Sequence, residues 1–550
     1  MTGMGKTRRS RMACAGVGVL AAIGVMTGVA PVASAAVAPG LQEFYGQKPT
    51  WKPCADEGEL ATLQCATLTV PMNYRKPGDE RIAVTISKLP AKDPAKRRGV
   101  LLLNPGGPGG EGVDLPLAFA DRPITQVYDL IGFDPRGVGR STPLECELSP
   151  SIGSFPSRPT DDQFAAFTAQ ARNDEAACER AAGGLRPYIN TPNTARDMDV
   201  IRGVLGEKKI NYLGFSYGTY LGAVFGSLFP ASLDRNVLDS SVSPDWIWRE
   251  QFKQQAVAMK QNTEAMFGWI GERDSVYGLG KSQAEVFATT EALAAKLATK
   301  PIEDPMFGTV DRTTYDVIVG IYSRFRPLWD EIGRIVKAFK AASDGTLAAG
   351  SAEVRDAAKA AKLMQELGIA KTVNGVFQTV TCEADWPQDL QIYYSDMRLF
   401  REKNPYGYGV YRAAPTECTF RSFKPADKVT NLKRAGYQTG LVIQAEGDSQ
   451  TQYDGGPAMA TRLKDQLVSV ADEGTHGLYS RNACASDIID NYLVNGVLPG
   501  SRVTCPGDPR PDIPADEAAA GRSARAPQPA DVTESVQRFI SEKRLGKGVF

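Results

Sequence analysis

The run Gly214-Phe215-Ser216-Tyr217-Gly218 constrains this chain more than any other. It stands between the apolar segment Ile210-Asn211-Tyr212-Leu213 and a helix-like segment over residues 219–228, so a strand must turn sharply into a helix at the serine. Only small flanking residues permit so tight a turn, and it leaves the Ser216 hydroxyl exposed at the carboxyl end of a sheet. A serine hydroxyl is a weak nucleophile until a neighbouring base takes its proton. The usual base is histidine, and among 550 residues there is one, His476. Short Gly/Ser patterns arise by chance, so the weight of this reading rests on its surroundings.

Those surroundings begin with an export signal. Residues 1–35 carry Lys6, Arg8, Arg9 and Arg11, then an apolar stretch over 15–29, then Ala33-Ser34-Ala35. Basic, apolar and small-residue parts in that order predict secretion with cleavage after Ala35; the apolar stretch is short and broken by glycines, which disfavours a membrane anchor. The chain has 63 basic and 63 acidic side chains, and with four basics and no acid in the leader, 59 basic face 63 acidic in the rest. That balance points to neither nucleic acid nor an anionic membrane surface as partner, and no stable membrane association is expected once the signal is removed.

Without the leader eight cysteines remain, in four neighbouring couples: Cys54 with Cys65, Cys146 with Cys178, Cys382 with Cys418, and Cys484 with Cys505. An even count in an exported chain predicts disulfides, although eight cysteines allow about 105 pairings. A zinc site is disfavoured, since there is no Cys-x-x-Cys pair and the single histidine has no partner at metal spacing. No cofactor and no metal are expected.

Along the chain, Ala66-Thr67-Leu68-Thr69-Val70 and Ile82-Ala83-Val84-Thr85-Ile86 flank a turn-rich segment and predict an antiparallel hairpin. Val100-Leu101-Leu102-Leu103 is a continuous apolar run suited to a strand buried on both faces. It runs into Asn104-Pro105-Gly106-Gly107-Pro108-Gly109-Gly110, a loop stripped of side chains whose backbone N–H groups can meet a ligand. Half of an oxyanion hole is expected there, from Gly107 with Gly106 next in order, and half from the N–H of Tyr217. Asp129-Leu130-Ile131-Gly132-Phe133 predicts a further strand, with Asp134 and Arg136 read as a charged pair shaping the loop after it. Residues 194–205 have helical spacing, and Asn236-Val237-Leu238-Asp239 predicts another strand.

From residue 245 to 426 long Ala/Lys/Glu-rich segments (251–266, 283–300, 328–343, 352–367) predict a helical insertion, too long for a connection and therefore a cap over the sheet. Strands resume at Leu441-Val442-Ile443-Gln444-Ala445, followed by Glu446-Gly447-Asp448, and Leu467-Val468-Ser469-Val470 reads as the last strand. The loop after it holds His476. The predicted divisions are a signal at 1–35, a core at 36–244 and 427–505, a cap at 245–426 and a flexible tail at 506–550, with one short helix over 531–544.

Serine, acid and histidine in the order Ser216, Asp448, His476 match the α/β-hydrolase order and differ from the chymotrypsin and subtilisin orders. Glu446 and Asp454 are the alternative acids. The expected fold is thus α/β, an α/β-hydrolase fold with a mostly parallel sheet and a large helical cap. Asn104 to Gly110, Gly132-Phe-Asp-Pro-Arg-Gly-Val-Gly139, Thr191-Pro-Asn-Thr-Ala-Arg-Asp197 and Gly214-Phe-Ser-Tyr-Gly-Thr-Tyr220 resemble the secreted actinobacterial tripeptidyl aminopeptidases, grouped with prolyl aminopeptidases among α/β-hydrolase serine peptidases. The resemblance implies release of short peptides from free N-termini, with peptide or protein N-termini as substrate. Where that family commonly has Thr-Pro after the acid, Thr451 is followed here by Gln452.

An aminopeptidase must also recognise an ammonium group, and a carboxylate in a desolvated pocket does so economically. Cys382-Glu383-Ala384-Asp385-Trp386-Pro387 is similar to an acidic segment of the family, and Glu383 and Asp385 are the candidates. The alternative is an esterase or lipase on the same triad. Dehalogenases and epoxide hydrolases are disfavoured, because they place an aspartate where Ser216 stands.

Overall fold

Ten strands form one sheet among the described residues of the computed structural model, which covers 40–147, 155–304, 307–346 and 375–516. In chain order the strands are β1 (Lys52–Pro53), β2 (Gln64–Pro71), β3 (Arg81–Leu89), β4 (Val100–Asn104), β5 (Asp129–Phe133), β6 (Ile210–Phe215) and β7 (Leu233–Asp239). A separate hairpin of β8 (Ile302–Asp304) and β9 (Gly308–Val310) intervenes before β10 (Leu441–Ala445), β11 (Gln466–Ala471) and β12 (Arg502–Pro506). Side by side the order is β1-β2-β3-β5-β4-β6-β7-β10-β11-β12. Pairing is antiparallel from β1 to β5 and parallel from β5 through β4 to β12, so the expected mostly parallel sheet is present.

The apolar runs explain that arrangement. On β4, Leu101 and Leu103 enter the core on one face with Leu213, Val237 and Ile443, while Leu102 enters the other with Ile131, Tyr212, Leu238 and Val442. Each such side chain is fully buried and contributes about 1.5–3 kcal/mol, which only a strand covered on both faces can collect. The hairpin expected before it is β2 and β3, registered with Ala66 opposite Ile86 and Val70 opposite Ile82.

The cap helices Arg249–Gly271, Gln283–Thr299, Arg312–Tyr322 and Trp329–Ser343 close around a core of their own, including Trp269, Tyr277, Leu293, Trp329 and Ile332. A second insertion joins them. Helix Phe164–Ala182 shares a cluster with helix Leu390–Lys403 through Phe164, Phe167, Met397 and Phe400, and Arg158 bridges Glu291 (2.6 Å) and Asp316 (2.8 Å) of the cap helices. Sheet and cap fall within one compact unit.

Three expectations need correction. Leu467–Val470 is not the last strand: β12 pairs in parallel with β11, and its polar, mostly exposed edge sequence carries no apolar run to reveal it. Asp134 and Arg136 do not pair with each other. Asp134 accepts the N–H groups of Gly112, Val113 and Arg140, while Arg136 grips Asp197 through two bonds of 2.6 Å. The chain just after Cys505 is not a flexible tail. Gly507 N–H donates to Ala471 C=O (2.9 Å), Arg510 pairs with Asp472 (2.7 Å), Arg273 donates to Ile513 C=O (2.7 Å), and Asp516 N–H to Glu272 C=O (2.9 Å), so this Pro-rich segment is strapped from sheet to cap by bonds that need no regular secondary structure.

All four cysteine couples are disulfide-bonded as expected. Among the described residues no helix is long and apolar enough to cross a membrane. The signal at 1–35 and the helices expected over 352–367 and 531–544 lie outside the described residues.

Candidate active site

β6 runs straight into helix Tyr217–Leu228, and at the junction Ser216 has φ +56° and ψ −125°. A non-glycine residue there stores about 1–3 kcal/mol of strain, held by packing on all sides. The turn leaves no room for side chains beside it. A Cβ on Gly218 would lie 2.7 Å from Asn104 Oδ1, and one on Gly106 would overlap the Phe215 carbonyl and sit 2.9 Å from Ser216 Cβ.

That close approach puts the Gly-rich loop after β4 against the elbow. Gly106 N–H is committed to Asn104 Oδ1 at 3.0 Å, which leaves Gly107 as the loop's candidate donor. Tyr217 is the first residue of its helix, where backbone N–H groups have no partner within the helix. The two N–H groups expected to bind an oxyanion therefore belong to segments in contact beside Ser216.

Across the sheet, Asp448 follows β10 and His476 follows β11. Asp448 Oδ1 accepts the N–H groups of Gln450 (2.8 Å) and Thr451 (3.2 Å); its Oδ2 accepts the Thr451 hydroxyl (2.8 Å) and the His476 Nδ1–H (2.7 Å). Burial raises the Asp448 carboxyl, but the charge and hydrogen bond of His476, the Gln450 N–H and Arg324 outweigh it and hold the group below the usual carboxylate range. An ionised Asp448 is acceptor-only, so Nδ1 carries a proton, and in the neutral form of the ring Nε2 keeps its lone pair. The hydrogen bonds of the ring lie on its Nδ1 side, and none joins Nε2 to Ser216 Oγ in this structure.

Serine and histidine are brought to one place by the end of β7. Ser216 N–H donates to Asp239 C=O at 3.1 Å, and the N–H groups of the three residues after His476 bond to the side chains of Ser240 and Asp239. Arg481 Nη1 closes the loop on His476 C=O at 2.8 Å.

Glu446 and Asp454, the alternative acids, are exposed and make no bond to the imidazole; Glu446 instead accepts Asp472 N–H at 3.0 Å. The two amine-subsite candidates separate completely. Glu383 is buried next to the elbow, bonded to Thr191 N–H (2.8 Å), the Thr191 hydroxyl (2.7 Å) and Trp248 Nε1–H (3.3 Å), and the Thr191 hydroxyl also meets Tyr217 OH at 2.9 Å. Burial pushes Glu383 up to about 7 against the pull of those donors. Asp385 is corrected: it is fully exposed, 4.0 Å from Arg421, and gives a substrate ammonium no desolvated pocket.

Sequence reasoning passed over Thr451 as an acid-orienting hydroxyl, Asp239 as the meeting point of nucleophile and base loops, the buried cation Arg324 and the half-buried Arg481. Only Thr451 left a signal, as a hydroxyl three residues past the acid.

A family model described as alpha/beta hydrolase fold matches residues 99–480. Tripeptidyl aminopeptidase of Streptomyces lividans is 32% identical over 484 residues, 84% of this chain and 87% of its own. Serine protease Hip1 of Mycobacterium tuberculosis is 26% identical over 489 residues, covering 84% and 91%. Carboxylesterase B of the same species is 28% identical over 519 residues, covering 88% and 97%.

Proposed function

Because this chain belongs to the α/β-hydrolase family, among its serine peptidases related to tripeptidyl aminopeptidase, we propose that it is an exported exopeptidase releasing tripeptides from free N-termini through an acyl-enzyme on Ser216. The observation that carries the reading is the His476–Asp448 pair, with the loop of His476 and the strained Ser216 both hydrogen-bonded to the end of β7, and the Gly107 and Tyr217 N–H groups on segments adjoining the serine. Four disulfides and the basic, apolar and small-residue leader support export.

In this mechanism Ser216 Oγ attacks the scissile carbonyl as its proton passes to His476 Nε2. That contact tightens when substrate fills the site. Asp448 stabilises the imidazolium, and the two N–H groups bind the oxyanion of the tetrahedral intermediate. His476 then returns the proton to the leaving amine, which departs as the shortened peptide. Water, deprotonated by the same imidazole, releases the acyl group and restores the serine.

Glu383 is proposed to bind the substrate ammonium. Glu383→Gln removes the charge and turns an NH2 toward Thr191 N–H or Trp248 Nε1–H, and is expected to raise KM for a free tripeptide-nitroanilide about 10- to 100-fold, the worth of one charged hydrogen bond, with a smaller effect on the N-blocked substrate. The sign of the pH effect follows from a carboxyl at about 7. The ratio of kcat/KM for free over blocked substrate rises as pH climbs through 7 and Glu383 ionises, then falls above about 8 as the substrate amine loses its proton.

The esterase reading has one specific support, the likeness to a carboxylesterase over 88% of the chain. Rates on free tripeptide-nitroanilide, its N-blocked form and a nitrophenyl ester separate the two. Preference for the free amine supports the peptidase; equal rates on both amides with faster ester turnover would establish the esterase.

A further inference from the structure

Asp239 sits where the three parts of the site converge, and no step of the mechanism uses it. It ends β7, registered with Phe215 of the elbow strand on one side and with Ile443 of the acid strand on the other. Its backbone carbonyl accepts Ser216 N–H at 3.1 Å, and its fully buried carboxylate faces the loop of His476. One oxygen accepts Leu478 N–H at 3.0 Å; the other accepts Leu478 N–H at 2.9 Å and Tyr479 N–H at 2.8 Å. Ser240 Oγ–H donates to the carboxylate at 3.2 Å and in turn accepts Gly477 N–H at 2.8 Å. Three successive backbone N–H groups after the histidine are therefore wrapped around one residue pair, an anion-holding concavity whose occupant is a side chain.

The geometry points to Asp239 as a positioning residue of the serine hydrolase reaction: its carboxylate sets the reach of the His476 ring, and its carbonyl sets the height of Ser216, so one residue fixes the nucleophile-to-base distance. This rests on the reading of Ser216 and His476 as nucleophile and base. The ionised carboxylate is the form that fits, since every group bonded to it is a donor. Burial lifts it to about 6, opposed by the Tyr479 and Leu478 N–H groups, the Ser240 hydroxyl and His476. Besides the imidazole, the charged group facing it is Arg481, from the turn that follows the histidine loop.

Asp239→Asn keeps size and one acceptor oxygen but turns an NH2 toward backbone donors, which must push the loop away. A shift of about 1 Å between reacting groups costs on the order of 100-fold in rate. The full chain and the variant are titrated with a serine-directed phosphonate to count competent sites, and kcat and KM are then measured per titrated site. The expected result is kcat per site down about 100-fold with KM within about twofold of the parent. A residue that merely stabilised the fold would lower the titratable fraction and leave turnover per site intact, and kcat per site within about twofold of the parent overturns the proposal.

If Asp239→Asn does not fold, Ser240→Ala decides by the same readout, because it removes the bond to Gly477 and one donor to the carboxylate. A fall of about tenfold per site supports the proposal and no fall overturns it. Failure of the underlying reading shows separately, as a parent protein that the phosphonate does not label or a Ser216→Ala variant that stays active.

Discussion

Replacing Ser216 by alanine is expected to lower kcat/KM by about a million-fold while the protein stays folded. The loss is that large because serine and histidine act as one unit: without Oγ no acyl-enzyme forms, and His476 has no proton to take. What survives, about 10³- to 10⁴-fold over water, comes from oxyanion donors and substrate binding alone. The fold should tolerate the change. Ser216 is held at φ +56° by its neighbours, and alanine meets the same strain at the same angle, so stability should shift by less than about 1 kcal/mol. Thermal melts of the two proteins, with kcat/KM on a tripeptide-nitroanilide, check both halves. A variant that melts with the parent and retains a tenth of its activity or more would move the chemistry to another residue.

Asp448→Asn is expected to cost about 10⁴-fold in kcat, and the hydrogen bonds around the acid say why. An asparagine has two ways to sit in this site. With its NH2 toward the ring it must donate to Nδ1, which forces the proton onto Nε2 and leaves no lone pair for the Ser216 proton. With its oxygen toward the ring, the NH2 faces the Gln450 and Thr451 N–H groups that now lie 2.8 and 3.2 Å from Oδ1, donor against donor. The first arrangement keeps more hydrogen bonds, so the wrong tautomer should dominate. Steady-state kinetics on the same substrate check the magnitude; a loss below about tenfold would mean another group orients the imidazole.

What the sequence made legible follows from which forces act locally. β4 stands out as a continuous apolar run and β6 as one interrupted only by Asn211, because both of their faces are covered, and the elbow stands out because its tight turn demands glycine on either side of a serine. A single histidine made the base unambiguous. Features that depend on distant partners left no such trace. β12 is a polar edge strand recognised only by its pairing with β11 and by the disulfide at Cys505. Residues 507–516 look like linker until Arg273, Asp472 and Glu272 are seen beside them. Asp239 reads as an ordinary strand end, since the loop it holds lies more than 230 positions away. Glu383 and Asp385 are two residues apart in an irregular segment with no period to say which faces inward. The fold buries one and exposes the other.

Mass spectrometry of the products from an unblocked decapeptide incubated with the full chain, with Ser216→Ala as control, tests the proposed chemistry most directly. Loss of successive N-terminal tripeptides, absent from the control, is the predicted result. Internal fragments would contradict an exopeptidase, and an untouched peptide would contradict a peptidase.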